Sequence, residues 1–441
     1  MEIQNRQREF LRRIVFASTA LLSEVAGAAQ LSIQGVVNGS QATVAASSDY
    51  GGATTSFDYR GIQYIDTADH GRELQSASAF DNHGECFNPT EAGNRDNYPS
   101  QLLSWSNDGE VLRTATNMAF WDPPGTPGSA ACFSGVAQAV NTTVLSGHIF
   151  EKVVSFGLNG VPNVLNYSVT FNVPEKHDFG GVFEALTGYL VYPFSNSLHF
   201  NTTTAALSVA AGQTYPNSAF FQATSDGLNA MGVYGVPSQN GFLYYESQPL
   251  LDGIVNKWNC VFAVGAAIPA GSRFSYQCNV VFGTIDEVIG ALRSLSGTSD
   301  GLVPVYRFRS LATGDHFLTK LFTEASSIGQ WWEEFFYNSY TFEGTAFRVH
   351  PTAVADAMQA LYRCYVPQTA DHFVSVAGNC EGQSFEGMYG YVSAYPRDGY
   401  EPIYRFYKNW PPDHLTTTNY SEGINAGYVF EAVLGYAPTS N

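Results

Sequence analysis

Between residues 31 and 283 apolar and polar positions alternate in short runs that are broken by Gly, Asn and Pro. HIFEKVVSFGL (148–158), VLNYSVTFNV (164–173) and SRFSYQCNVVF (272–282) keep a period of two and read as half-buried strands. The pairs Asn159-Gly160 and Asp226-Gly227 are hairpin-type turn signals. Roughly 250 residues of this pattern without a long helical period predict a large β-sandwich and not a βαβ fold. The period changes in GTIDEVIGALRSL. Thr284 and Glu287 have capping-box spacing there, and Ile285, Val288, Ile289 and Leu292 fall on one helical face. SGTSDG (296–301) follows and has the composition of a flexible linker. The expected organisation is therefore a sandwich over 29–295, a linker over 296–303 and a second unit over 304–441.

That second unit carries an internal repeat: PVYRFRSLATGDHF (304–317), ALYRCYVPQTADHF (360–373) and PIYRFYKNWPPDHL (402–415). Tyr306 precedes His316, Tyr362 precedes His372 and Tyr404 precedes His414 by the same interval. Each copy later has an aromatic segment with a glutamate: TFEGTAF (Glu343), SFEGMYGYV (Glu386) and VFEAVLGYA (Glu431). A single copy cannot bury its apolar face, whereas three around a pseudo-threefold axis can, which predicts a three-repeat β-trefoil. The pattern YR(F/C), DHF, FEG, GY resembles a family of secreted β-trefoil repeat modules often appended to extracellular hydrolases. The resemblance implies an accessory, glycan- or surface-binding role. The Asp-His pairs admit two readings, three equivalent ligand sites or a repeated hydrogen-bonded core, and their invariance across copies favours the core. Trp331, Trp332 and Trp410 break the symmetry and are candidates for stacking on sugar.

Composition narrows the compartment and the ligand. The first residues combine Arg6, Arg8, Arg12 and Arg13 with the apolar run 14–22 and Ala26-Gly27-Ala28, the layout of a signal peptide over 1–28. The expectation is a secreted, monomeric protein without membrane insertion. Removing that segment moves the formal charge from −18 to −19. With no basic cluster, nucleic-acid binding is not expected, and a neutral or hydroxyl-rich ligand such as a polysaccharide suits the chain better. Cys86, Cys132, Cys260, Cys278, Cys364 and Cys380 contain no CxxC pair. Six cysteines allow fifteen pairings, of which the sequential set is expected.

No HExxH, phosphate loop or EF-hand loop is present, so no cofactor or metal is called for. Carboxylates, histidines and arginines remain. They concentrate in 69–96, where His70, Arg72, Glu73, Glu85 and Glu91 are the catalytic candidates. Glycan hydrolysis needs two carboxylates, one acid and one base or nucleophile, while elimination needs a base and a cation for the uronate. A Cys86–Cys132 bridge would hold the Glu85–Glu91 loop firmly enough for either. Trp121 and Asp122, fixed by Pro123 and Pro124, are candidates for substrate binding. Lys257 and Trp258 are rim candidates at most.

The strand-rich module, its opening GGATTSFDYRGIQYI (51–65) and the turn DHGRELQ look like the galactose-mutarotase-like supersandwich superfamily, over about residues 31–295. That fold serves aldose epimerases, polysaccharide lyases and accessory domains of glycosidases. The superfamily's epimerases use an early Arg, central His residues and a late Glu. Arg72, His148 or His177, and Glu246 fall in that order, although no flanking motif supports carrying the roles over. The sequence thus predicts a secreted carbohydrate-active enzyme, with hydrolysis first and lyase chemistry second. The alternative is a non-catalytic glycan-binding protein.

Overall fold

The computed structural model describes residues 29–65, 73–93, 100–129, 131–133, 135–191, 193–210, 218–250, 255–328 and 340–439. The chain is almost entirely β. A 14-stranded antiparallel sheet dominates the first part, and a four-stranded sheet from Gln30–Val37 to Ile62–Gln63 packs on one face of it. The period-two pattern decides what goes between them. Ile33, Val44 and Phe57 of the small sheet meet Phe183, Trp258, Phe262 and Tyr276 of the large one in a single buried cluster. Burying a side chain of this size contributes roughly 1.5–3 kcal/mol, so the cluster supplies most of the drive for the layering. Gly188 is needed inside it, because a Cβ there would lie 2.5 Å from the Trp258 ring.

One buried ion pair lies within this layer. Lys152 and Glu91 are both fully buried, with Nζ 2.5 Å from Oε1. Lys152 also donates to the Gly52 carbonyl at 2.6 Å, and Glu91 accepts from the Ser76 amide at 3.2 Å. Burial pushes the Glu91 carboxyl up and the Lys152 ammonium down from their ordinary values, and their mutual attraction offsets only part of this. The pair ties the Leu145–Leu158 strand to the segments around Gly52 and Ser76.

The helix expected after the sandwich spans Ile285–Ser296 and begins with the Thr284–Glu287 capping box, formed in both directions. Its apolar face is shared. Ile285, Val288 and Leu292 pack with Phe221 and Phe200 of the large sheet and with Tyr306, Phe308, Phe322 and Phe342 of the next unit. The stretch expected to be a flexible linker is pinned: Asp300 accepts from Arg293 at 3.1 Å and from Arg348 at 2.7 Å.

The C-terminal unit is a near-barrel of three repeats. Each contributes three strands among the described residues, beginning at Val303–Ser310, Met358–Val366 and Tyr400–Asn409, where a β-trefoil repeat would contribute four. Its core takes Val305, Leu361 and Ile403 from equivalent positions. The Asp-His pairs link the copies in a ring. His316 Nδ1 lies 2.6 Å from Asp413, His372 Nδ1 2.9 Å from Asp315, and His414 Nδ1 2.6 Å from Asp371. A second ring runs outside the first. Arg307, Arg363 and Arg405 each pair with the glutamate of their own repeat (Glu343, Glu386, Glu431). They also pair with Glu422, Glu324 and Glu381 of a neighbouring repeat. These pairs are structural, as their invariance in sequence suggested.

The disulfides are Cys86–Cys132, Cys260–Cys278 and Cys364–Cys380, the sequential set. No helix among the described residues is long and apolar enough to cross a membrane.

Removing one member of the buried pair strands the other. Lys152→Met is expected to lower stability by about 3–5 kcal/mol, and Lys152→Met with Glu91→Leu to recover much of that loss. Urea unfolding of the single and double variants checks both outcomes.

Candidate functional site

The face of the large sheet turned away from the core is open and lines a cleft of about 570 Å³. Four neighbouring strands floor it: Gln75–Phe80, Gly181–Leu190, Val255–Val264 and Phe242–Leu250. Alternation dictates which side chains reach it. In Val255–Val264, Trp258, Cys260 and Phe262 go to the core, while Lys257, Val261 and Ala263 line the cleft. In Gly181–Leu190 the register slips between Glu184 and Leu186. This irregularity lets Val182 and Glu184 on one side of it, and Thr187 and Tyr189 on the other, all face the cleft. Tyr244 and Glu246 complete the polar floor from the edge strand.

Glu184 and Glu246 stand on either side of one intervening strand, in register with its Val261 and Asn259 respectively, so their backbones are roughly 12 Å apart. Asn259 lies between them, paired in register with Thr187 on one side and Glu246 on the other. Its Oδ1 accepts from the Glu246 amide at 3.0 Å, and its Nδ2 is 3.5 Å from Glu246 Oε2. Glu184 accepts from Thr187 Oγ1 at 2.6 Å and is 3.5 Å from Lys257 Nζ.

These surroundings drive the two carboxyls apart. Burial raises Glu184, but the Lys257 ammonium and the Thr187 hydroxyl outweigh it and hold the group below the ordinary carboxylate range. Burial raises Glu246 as well, and the charge of Glu184 adds to that, so it stays above the ordinary range. Lys257 is held above its ordinary value because Glu184 more than offsets its burial. Burial pushes the phenols of Tyr189 and Tyr244 up, with Lys257 opposing the effect at Tyr189 and Glu246 reinforcing it at Tyr244. Both phenols are donors at neutral pH and not bases. A carboxyl held above the ordinary range, one held below it and two hydrogen-bond donors therefore share one cleft.

Part of the rim comes from the acidic stretch read in the sequence. Gly84–Phe87 forms a short 3-10 turn that the Cys86–Cys132 bridge fixes, and the Glu85 amide donates to the Ala131 carbonyl at 3.0 Å. Glu85 and Trp121 line the cleft, with Phe133 and Phe179 exposed by 60% and 69% at its edge.

The other sequence candidates are placed differently. Glu91 is not a cleft residue: it is consumed in the ion pair with Lys152, and full burial removes it from any substrate. Glu73 is buried and is not among the residues that line the cleft, although its charge acts on Tyr189. Asp122 is buried, and its carbonyl accepts from Asn141 at 3.1 Å. Trp258 is core and not rim. Trp410 is 85% exposed on the C-terminal unit. His70, Arg72, Trp331 and Trp332 lie outside the described residues.

Glu184 escaped the sequence reading, and Lys257 was placed only at the rim. Each is a lone charge in an apolar strand, GVFEALTGYL and VNKWNCVFAV, and that isolation was the available signal. Glu246 was visible only through the order Arg, His, Glu.

Residues 304–438 match a family model described as a domain of unknown function, DUF5648. No curated protein matches the chain. Among solved structures, the chain is similar to a galactose mutarotase related enzyme from Lactobacillus acidophilus, at 12% identity over 58% of this chain and 98% of that one, with TM-score 0.34. It is also similar to an alpha-N-acetylgalactosaminidase from Bifidobacterium bifidum, at 10% identity over 62% and 40%, with TM-score 0.34. A heparan sulfate lyase from Pedobacter heparinus matches at 6% identity over 56% and 34%, with TM-score 0.30. Similarities this distant assign no activity to the chain.

Proposed function

We propose that the protein is a secreted enzyme that hydrolyses a neutral polysaccharide, with Glu246 as general acid and Glu184 as the ionised carboxylate. The observation that carries this reading is the opposite displacement of the two carboxyls across Asn259. Two titratable groups pushed apart by their surroundings divide the acid and base roles between them. In the hydrolytic step Glu246 gives its proton to the leaving glycosidic oxygen as the C–O bond breaks. Glu184 takes a proton from the attacking water as the new C–O bond forms. Tyr189 and Tyr244 donate to sugar hydroxyls.

The charge of the cleft favours a neutral chain. Glu85, Glu184 and Glu246 oppose Lys257 among its described lining residues, and Lys257 is already engaged by Glu184. A uronate would find no free cation among them, and the raised phenols make poor bases for β-elimination. Trp121, Phe133 and Phe179 offer aromatic faces along the rim for sugar rings. In this reading the C-terminal unit, with Trp410 exposed, holds the enzyme near its polymer. The disulfides and the residue 1–28 pattern support secretion.

Incubation with neutral glucans, galactans, arabinans and xylans, beside polygalacturonate and heparan sulfate, is expected to release reducing ends from a neutral polymer without ultraviolet absorbance. Glu246→Gln and Glu184→Gln should each lower kcat about 10²–10⁴-fold. Unsaturated products, or full activity in both variants, would refute the assignment.

The pH profile should be a bell. Its acid limb falls as Glu184 is protonated, below the ordinary glutamate value near 4.3. Its alkaline limb falls as Glu246 ionises, above that value.

Stability at neutral pH should separate the same two residues. Glu246→Gln removes a carboxyl whose ionised form the cleft disfavours, so the unfolding midpoint should hold or rise. Glu184→Gln leaves Lys257 without its partner and should cost about 1–3 kcal/mol in chemical denaturation.

A further inference from the structure

Apart from the carboxylate cleft, the most concentrated chemistry among the described residues joins three segments. They are the start of the Leu145–Leu158 strand (His148), the 174–180 connection (Glu175 and His177) and the end of the Gln75–Phe80 strand (Asp81). His148 and His177 are 1% and 3% exposed, and Glu175 is partly open to solvent. His148 Nε2 is 2.9 Å and His177 Nε2 3.5 Å from the same oxygen, Glu175 Oε1. One donor atom from each of the three residues lies within 4.8 Å of the others.

The far side of His177 fixes what its near side must do. Its Nδ1 is 2.8 Å from Asp81 Oδ2, and Asp81 Oδ1 already accepts from the Phe179 amide at 2.9 Å. Asp81 is therefore a preset acceptor for a hydrogen bond from Nδ1–H, and the neutral ring then carries its lone pair on Nε2. That atom is buried, has no hydrogen-bond partner, and faces the Glu175 carboxylate. Phe80 stacks on the ring at 4.1 Å and Phe87 meets it edge-on at 5.6 Å, so rotation out of this arrangement is blocked. A lone pair held against a carboxylate oxygen calls for a cation between them, either a proton or a metal ion.

We propose that His148, Glu175 and His177 bind a divalent transition-metal ion of the zinc class, with Asp81 as the positioning residue behind His177. Nitrogen and carboxylate donors at bond lengths of about 2.0–2.2 Å in a tetrahedral site stand roughly 3.3 Å apart, between the two separations observed to Glu175. Two imidazoles disfavour calcium and magnesium, which take oxygen ligands. A carboxylate behind a ligating histidine is the arrangement that orients such ligands. Three protein ligands leave a fourth position for water on the open side of Glu175. Asn82 and Phe179, neighbours of Asp81 and His177, line the carboxylate cleft, so a bound ion would brace that rim. The proposal stands whether or not the cleft hydrolyses glycans.

The full, tag-free chain, stripped with a chelator, should take up one equivalent of Co²⁺ with visible d–d absorption, and one of Zn²⁺ by calorimetry. Excess Ca²⁺ should not displace either. His177→Ala should abolish uptake, and Asp81→Asn should weaken it about 10–100-fold. Should the histidine variant fail to fold, Glu175→Gln, which is partly exposed, must still cut affinity at least tenfold. No Co²⁺ band and no Zn²⁺ uptake by the wild-type chain would overturn the site and leave a proton-bridged ion pair. Unchanged uptake in folded His177→Ala or Glu175→Gln protein would overturn it too.

Discussion

Lys257 and Trp258 are adjacent in one strand, and the pleat sends them to opposite faces of the large sheet. The indole fills the core above Gly188, which fixes the strand's register against its neighbour. That register brings the Lys257 ammonium to 3.5 Å from Glu184. Everything distinctive about the cleft follows from this contact. It holds Glu184 below the ordinary carboxylate range in spite of burial, and the charge of Glu184 in turn helps to hold Glu246 above that range. A cation, a low carboxyl and a high carboxyl form one electrostatic unit, built on strands whose other face is apolar core.

The C-terminal unit solves a different problem with similar groups. Asp315, Asp371 and Asp413 are buried close together, an arrangement that would be costly if they were left alone. Each instead binds the backbone amide and the imidazole of the histidine in another repeat. No copy is complete without its neighbours, which explains why the pairs repeat without variation. The Ile285–Ser296 helix joins this unit to the sandwich through a shared apolar cluster, so the chain between them is held at both ends.

Much of the architecture was legible because it depends on periodicity. Strand alternation, the Thr284–Glu287 cap, the threefold repeat and the sequential disulfides are all local or regularly spaced signals. The site was less legible because it depends on adjacency across strands. The acidic stretch supplied the rim residue Glu85, and the turn before Pro123 and Pro124 supplied Trp121, whereas Glu91 turned inward to meet Lys152, a partner 61 positions away. Glu184 and Glu246 come together only through a third strand and a register slip, and no one-dimensional spacing encodes either. Charge density in sequence marked a loop; solitary charges inside apolar strands marked the floor of the cleft.

The central claim is that two neighbouring carboxyls are displaced in opposite directions, and it can be read directly. The carboxyl carbons of Glu184 and Glu246 can be followed by ¹³C NMR across the acid range, with the single Gln variants used for assignment. The account predicts one carboxyl titrating below the ordinary glutamate value and one above it, with Lys257→Met raising the lower of the two. Two carboxyls titrating together at the ordinary value would contradict it.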